Sequence, residues 1–134
     1  MARIFVLILG LFLTATSTTA QQSDSIESVI GNQLQAFNDR DLQEAWSYAS
    51  PNIKRIFENP QNFGLMVERG YPMVWDNRQV EFLERREVNG AQMQKVMLRD
   101  PSGNLYVLLY QMIETGNGWQ INGVQLLPGN GVGA

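Results

Sequence analysis

Between residues 24 and 69 the apolar side chains recur every three or four positions, and from residue 78 onward they alternate with polar ones. The first period predicts helices and the second predicts strands. Residues 21–23 read as a short linker. A first helix is expected from Asp24, with Glu27 at capping-box spacing and Ile26, Val29, Ile30, Leu34 and Phe37 on one face. Asp41 and Glu44 repeat the cap before a short helix whose Leu42, Ala45, Trp46 and Ala49 share a face. Ser50-Pro51 and Asn59-Pro60 each place a capping side chain before a proline, predicting helices over 51–58 and 60–69. Gly70 is expected as a left-handed C-cap, with Pro72 preventing continuation.

The alternating half divides into strands at Arg78–Val88, Ala91–Arg99, Leu105–Glu114 and Trp119–Leu127. Asn89-Gly90 is a two-residue hairpin signal, and Asp100-Pro101-Ser102-Gly103 suits a type I turn with glycine left-handed. Pairing Val88 with Ala91 sets Phe82 opposite Met97 and Glu84 opposite Lys95. In the last strand Trp119 and Ile121 share one face while Val124 and Leu126 fall on the other. One extra residue at Asn122-Gly123 repairs that slip, so a bulge that bends the sheet is expected there. Helices first and an antiparallel meander second give an α+β domain with its helices on one face.

The start of the chain carries a different signal. Met1-Ala2-Arg3 is followed by an apolar run from Ile4 to Leu13 and a small, polar stretch to Ala20. That is the pattern of a secretory leader, with cleavage expected before Gln21. The ten-residue run, at about 1.5 Å per residue, covers roughly half of a bilayer core, so no permanent membrane anchor is expected. The domains are therefore read as a leader over 1–20, one α+β domain over 21–128 and a flexible tail over 129–134. The location is read as periplasmic or secreted.

Composition narrows the chemistry. The 134 residues hold ten Lys and Arg against thirteen Asp and Glu; loss of Arg3 with the leader takes the net charge from −3 to −4. An acidic chain is a poor partner for nucleic acid. There is no histidine and no cysteine, which excludes thiolate catalysis, histidine-assisted serine chemistry and His/Cys metal sites. No catalytic residue, metal site or cofactor is assigned.

The motifs Ala36-Phe37-Asn38-Asp39-Arg40-Asp41 with Ala45-Trp46, and Gly118-Trp119-Gln120-Ile121, resemble the nuclear-transport-factor-2-like superfamily. More narrowly, Ala49-Ser50-Pro51-Asn52-Ile53, Met66-Val67, Tyr71-Pro72 and Gly123-Val124 resemble a small secreted bacterial family of unknown function. The resemblance implies a cone-shaped fold in which a strongly bent sheet wraps a central space, shared with ketosteroid isomerases and polyketide cyclases.

Within such a cone, Tyr48, Trp75, Tyr106, Tyr110 and Glu114 are the expected ligand-binding residues, and a small apolar ligand is the expected occupant. Trp46 and Trp119 lie on apolar faces and are assigned to core packing. The chain is read as a non-catalytic, exported domain that binds a ligand or a protein. The alternative is a metal-free isomerase, dehydratase or cyclase using a cone carboxylate and a tyrosine; Asp76 and Glu114 are the acids expected nearest the cone mouth. Both phases of the strands are apolar: Phe82, Met97, Leu105, Val107, Leu109 and Ile113 in one, Leu83, Val96, Leu98, Leu108 and Met112 in the other. Helices can cover only one face, so a homodimer through the sheet is expected, with the first set outside.

Overall fold

The computed structural model describes residues 18–128, with side chains from Ser25 onward. Most of the expected leader and the whole expected tail lie outside the described residues.

Five helices precede four strands: α1 Thr18–Asn38, α2 Leu42–Ser47, α3 Pro51–Phe57, α4 Pro60–Gly70, α5 Pro72–Trp75, β1 Arg78–Val88, β2 Ala91–Arg99, β3 Leu105–Thr115 and β4 Gly118–Leu126. Neither glycine nor proline interrupts residues 18–30, so α1 starts upstream of Asp24, which lies inside the helix and does not cap it. The other three predicted caps form. Asp41 accepts from the Glu44 N–H, Ser50 from the Ile53 N–H and Asn59 from the Asn62 N–H. Gly70 closes α4 without adopting the left-handed conformation. Pro72 then starts a further one-turn helix, α5, since a proline at a first helical position loses no hydrogen bond.

The strands form one antiparallel sheet in the order β1-β2-β3-β4. Its inner face carries Val96, Leu98, Leu108, Tyr110 and Met112, which are fully buried against Ile26, Ile30, Leu34 and Phe37 of α1. Trp46 and Trp119 pack on this core but are only half-buried; Trp46 stacks on Phe63 with ring centroids 5.6 Å apart. Asn77 locks α1 to the sheet. Its buried amide donates to the Leu34 and Val74 carbonyls at 2.8 Å, and its N–H donates to Asn38 Oδ1 at 3.1 Å.

The Asn89-Gly90 turn has φ 50° and 83°, and Val88 faces Ala91 as its register requires. Glu84 meets Lys95 at 2.6 Å. Phe82, however, pairs with Val96, and Glu81 with Met97. The register slips between Phe82 and Arg85, and again between Arg78 and Glu81. Each slip moves the strand by one side-chain phase, so Phe82 lies on the inner face beside Gly31 of α1. The outer face is then Met97, Leu105, Val107, Leu109 and Ile113 without Phe82, and none of these five packs on the helical core. In β4 the expected bulge is present. Gln111 faces Gly123 while Met112 faces Ile121, leaving Asn122 as the extra residue.

Candidate functional site

The bulge at Asn122 is clamped from the helical side. Ser50, fully buried, donates from Oγ to Asn122 Oδ1 at 2.7 Å while the same oxygen caps α3. Asn122 Nδ2 donates to Gln111 Oε1 at 3.0 Å. The Ser50 N–H reaches the Ile121 carbonyl at 2.8 Å, and the Ile121 N–H reaches the Tyr48 carbonyl at 2.9 Å. These bonds seat the start of α3 on the edge of β4 and leave its far end to span toward α4.

Beneath that span lies a cavity of about 270 Å³. Ile53, Ile56 and Phe57 of α3 form one wall, at the i, i+3, i+4 spacing that puts three side chains on one helical face. Phe63, Met66 and Val67 of α4 form a second, and Tyr110, Ile121 and Val124 of the sheet a third. The wall is overwhelmingly apolar. Its polar groups are Gln33, Tyr71 and Tyr110. Gln33 is buried and donates from Nε2 to the Ala45 carbonyl at 3.1 Å. Tyr71 donates to the Val124 carbonyl at 3.0 Å, beside the bulge.

Tyr110 differs from both. Its side chain is fully buried and its hydroxyl has no hydrogen-bond partner among the described residues. Burial, and secondarily the neighbouring Tyr71, pushes its pKa up from the ordinary 10.0, so it stays a neutral phenol. Such a group has one O–H to donate and lone pairs to accept with.

Of the five residues expected to bind a ligand, Tyr110 alone lines this cavity. Tyr48 ends α2 and donates to Glu44 at 3.2 Å. Trp75 stacks under the Arg40 guanidinium, 4.1 Å from its ring centre. Tyr106, four residues before Tyr110 on the same strand face, reaches Asp100 at 3.3 Å beside the β2–β3 turn. Glu114 is exposed near the end of β3. Asp76, the other acid expected at the mouth, is half-buried and ion-paired with Arg40 at 2.6 Å. Among the described residues, no aspartate or glutamate lines the cavity wall.

Gln33 is the lining residue that the sequence pattern itself marks. It falls three residues after Ile30 and four before Phe37, on the apolar face of α1, where an amide needs a reason to be. Among the described residues, no group of three or more acidic side chains is placed to hold a metal ion, and no helix is long and apolar enough to cross a membrane.

Residues 19–134 match the family described as Domain of unknown function (DUF4864). No curated protein and no solved structure matches the chain.

A buried hydroxyl without a partner costs about 1–3 kcal/mol. Tyr110→Phe should therefore raise stability in denaturant titration by about that amount at neutral pH. The raised folded-state pKa also makes wild-type stability, intact below pH 10.0, decline as the pH climbs above it, and the substitution should soften that decline. An unchanged or lower midpoint would show the hydroxyl to be already satisfied.

Proposed function

The chain belongs to the DUF4864 family, and we propose that it is an exported, non-catalytic binding domain whose cavity takes a small, largely apolar molecule bearing one hydrogen-bond acceptor. The observation that carries this reading is the unpartnered Tyr110 hydroxyl in an otherwise apolar chamber. Ligand sites are mostly apolar with a few polar groups fixing orientation, and at about 270 Å³ this one lies at the small end of their range. A ligand carbonyl or ether oxygen accepting from Tyr110 would recover the cost of the buried donor. The helices-then-meander order supports kinship with the nuclear-transport-factor-2-like cone, in which such a chamber is the functional feature. An isomerase, dehydratase or cyclase would need a base, and the wall offers tyrosines without a carboxylate.

Export is supported by the leader pattern of residues 1–20 and by a family match that begins at residue 19, against an expected first mature residue of Gln21. Dimerisation through the sheet is supported by the five outer-face apolar residues that no helix covers among the described residues.

Three experiments test these points. N-phenyl-1-naphthylamine should fluoresce in the cavity and be displaced by a linear methyl ketone. Tyr110→Phe should weaken the ketone about five- to tenfold and leave the fluorophore unaffected. Failure of the wild type to take up either compound would end the binding proposal. Mass spectrometry of protein recovered from a bacterial periplasm should find Gln21 first; intact Met1 in the inner membrane would refute export. The wild type should sediment as a dimer at micromolar concentration and Val107→Glu as a folded monomer. A monomeric wild type would remove the dimer.

A further inference from the structure

The cavity does not end at its apolar walls. A second, open groove of about 310 Å³ lies between α3 and α4 and is lined by Phe57, Asn62, Leu65, Met66 and Arg69. Phe57 and Met66 belong to both spaces, so the two share a wall. The side chains around this end are apolar yet open to solvent: Ile56 on the cavity side is 60% exposed and Leu65 on the groove side 43%. Large apolar groups exposed at the rim of an apolar cavity mark an interaction site, here its mouth.

The wall on this side is also the least anchored one. No residue of α3 is fully buried. The link from α3 to α4 passes through Glu58 at φ 74° and ψ −38°, with the Asn59 N–H donating to the Phe57 carbonyl at 2.9 Å. That is a three-residue γ-turn of the strained hand, rare outside glycine. Few buried contacts and a strained turn are features of elements that open locally. An elongated molecule entering here leaves its outer end in the groove.

The polar groups in the groove are Asn62 and Arg69. Asn62 is occupied: its Nδ2 donates to the Phe57 carbonyl at 3.1 Å and its N–H is bonded to the Asn59 cap. Arg69 is free. Among the described residues the ion pairs are Arg40–Asp76 and Lys95–Glu84, and Arg69 donates no hydrogen bond to any of them. Its guanidinium presents a fork that fits a carboxylate or a phosphate. On a chain of net charge −3, an anion has little reason to approach except at such a local cation.

We infer that the ligand is an anionic amphiphile: a largely apolar body seated in the cavity, carrying the acceptor that meets Tyr110, with an acidic head resting on Arg69 at the mouth between α3 and α4. This deepens the binding proposal and depends on it.

The test uses n-alkyl carboxylates and n-alkan-1-ols of matched length, each displacing N-phenyl-1-naphthylamine from the full chain at low salt. In both series affinity should rise about fourfold per added methylene until the cavity is filled. At each length the carboxylate should bind about three- to tenfold more tightly than the alcohol, and the advantage should shrink with salt. Arg69→Gln should bring the ratio to about one while alcohol affinity stays put, and Arg69→Glu should reverse it. Alcohols that bind with the expected length dependence while carboxylates gain nothing, or a carboxylate preference that survives Arg69→Gln, would overturn the inference and leave the cavity proposal standing. Absence of binding in both series would overturn the two together.

Discussion

Everything about the site depends on one extra residue in the last strand and on the serine that holds it. Without the bulge at Asn122, Trp119 and Ile121 would face one side of the sheet and Val124 and Leu126 the other. With it, all four lie on the inner face, opposite Glu114, Met112, Tyr110 and Leu108. A bulge bends its strand and increases its twist. Ser50 pins the bend by bonding Asn122 and capping α3 with the same hydroxyl oxygen. The Tyr48–Ser50 segment also pairs with β4 at Ile121, so the free edge of the strand is satisfied where it turns. Sheet curvature, edge protection and the seat of α3 are thus one set of hydrogen bonds.

That arrangement sets the energetics of the chamber. Helix α3 is anchored at its first residue and bridges to α4, leaving space that the sheet does not fill. Native interiors are close-packed, and an apolar void forfeits dispersion contacts along its whole lining. Adding a buried donor with no partner costs more. A fold optimised for stability alone would close the gap by repacking and would place phenylalanine at 110. The void and the unpaired hydroxyl are the two costs that the proposed ligand would offset.

The fold was largely legible because its punctuation is strong. Asn89-Gly90, Ser50-Pro51 and Asn59-Pro60 each allow few backbone solutions, and the phase slip in β4 could be read directly as a bulge. The register of β1 was legible only as far as Arg85. A two-residue turn fixes pairing outward until the first slip, and Val80, Phe82 and Leu83 are apolar in both phases, so nothing in the sequence chose where β1 would bulge. The site was less legible. Tyr110 stood out because it is aromatic on a clear strand face. Gln33 and Tyr71 join it from residues 77 and 39 positions away, and that convergence is a property of the bend, not of any local pattern. Tyr48, Trp75 and Tyr106 looked equivalent to Tyr110, but each has a local partner that occupies it: Glu44, Arg40 and Asp100.

The two edges of the sheet bear on how such a domain can associate. An exposed strand edge offers unpaired backbone groups to any other strand, and proteins block it with bulges, charges or covering segments. Here β1 carries two register slips and six charged residues, Arg78, Glu81, Glu84, Arg85, Arg86 and Glu87. The edge of β4 is covered at Ile121 by the segment that follows α2. Both edges are therefore hindered against strand addition, each by a different device. The outer face has no such protection: Met97, Leu105, Val107, Leu109 and Ile113 are all apolar and half-buried, with Lys95 and Glu84 paired across strands beside them. In the proposed dimer, hindered edges and an apolar face would place the contact on the face, where packing can be two-fold and closed, and away from the open-ended strand pairing that leads to aggregates.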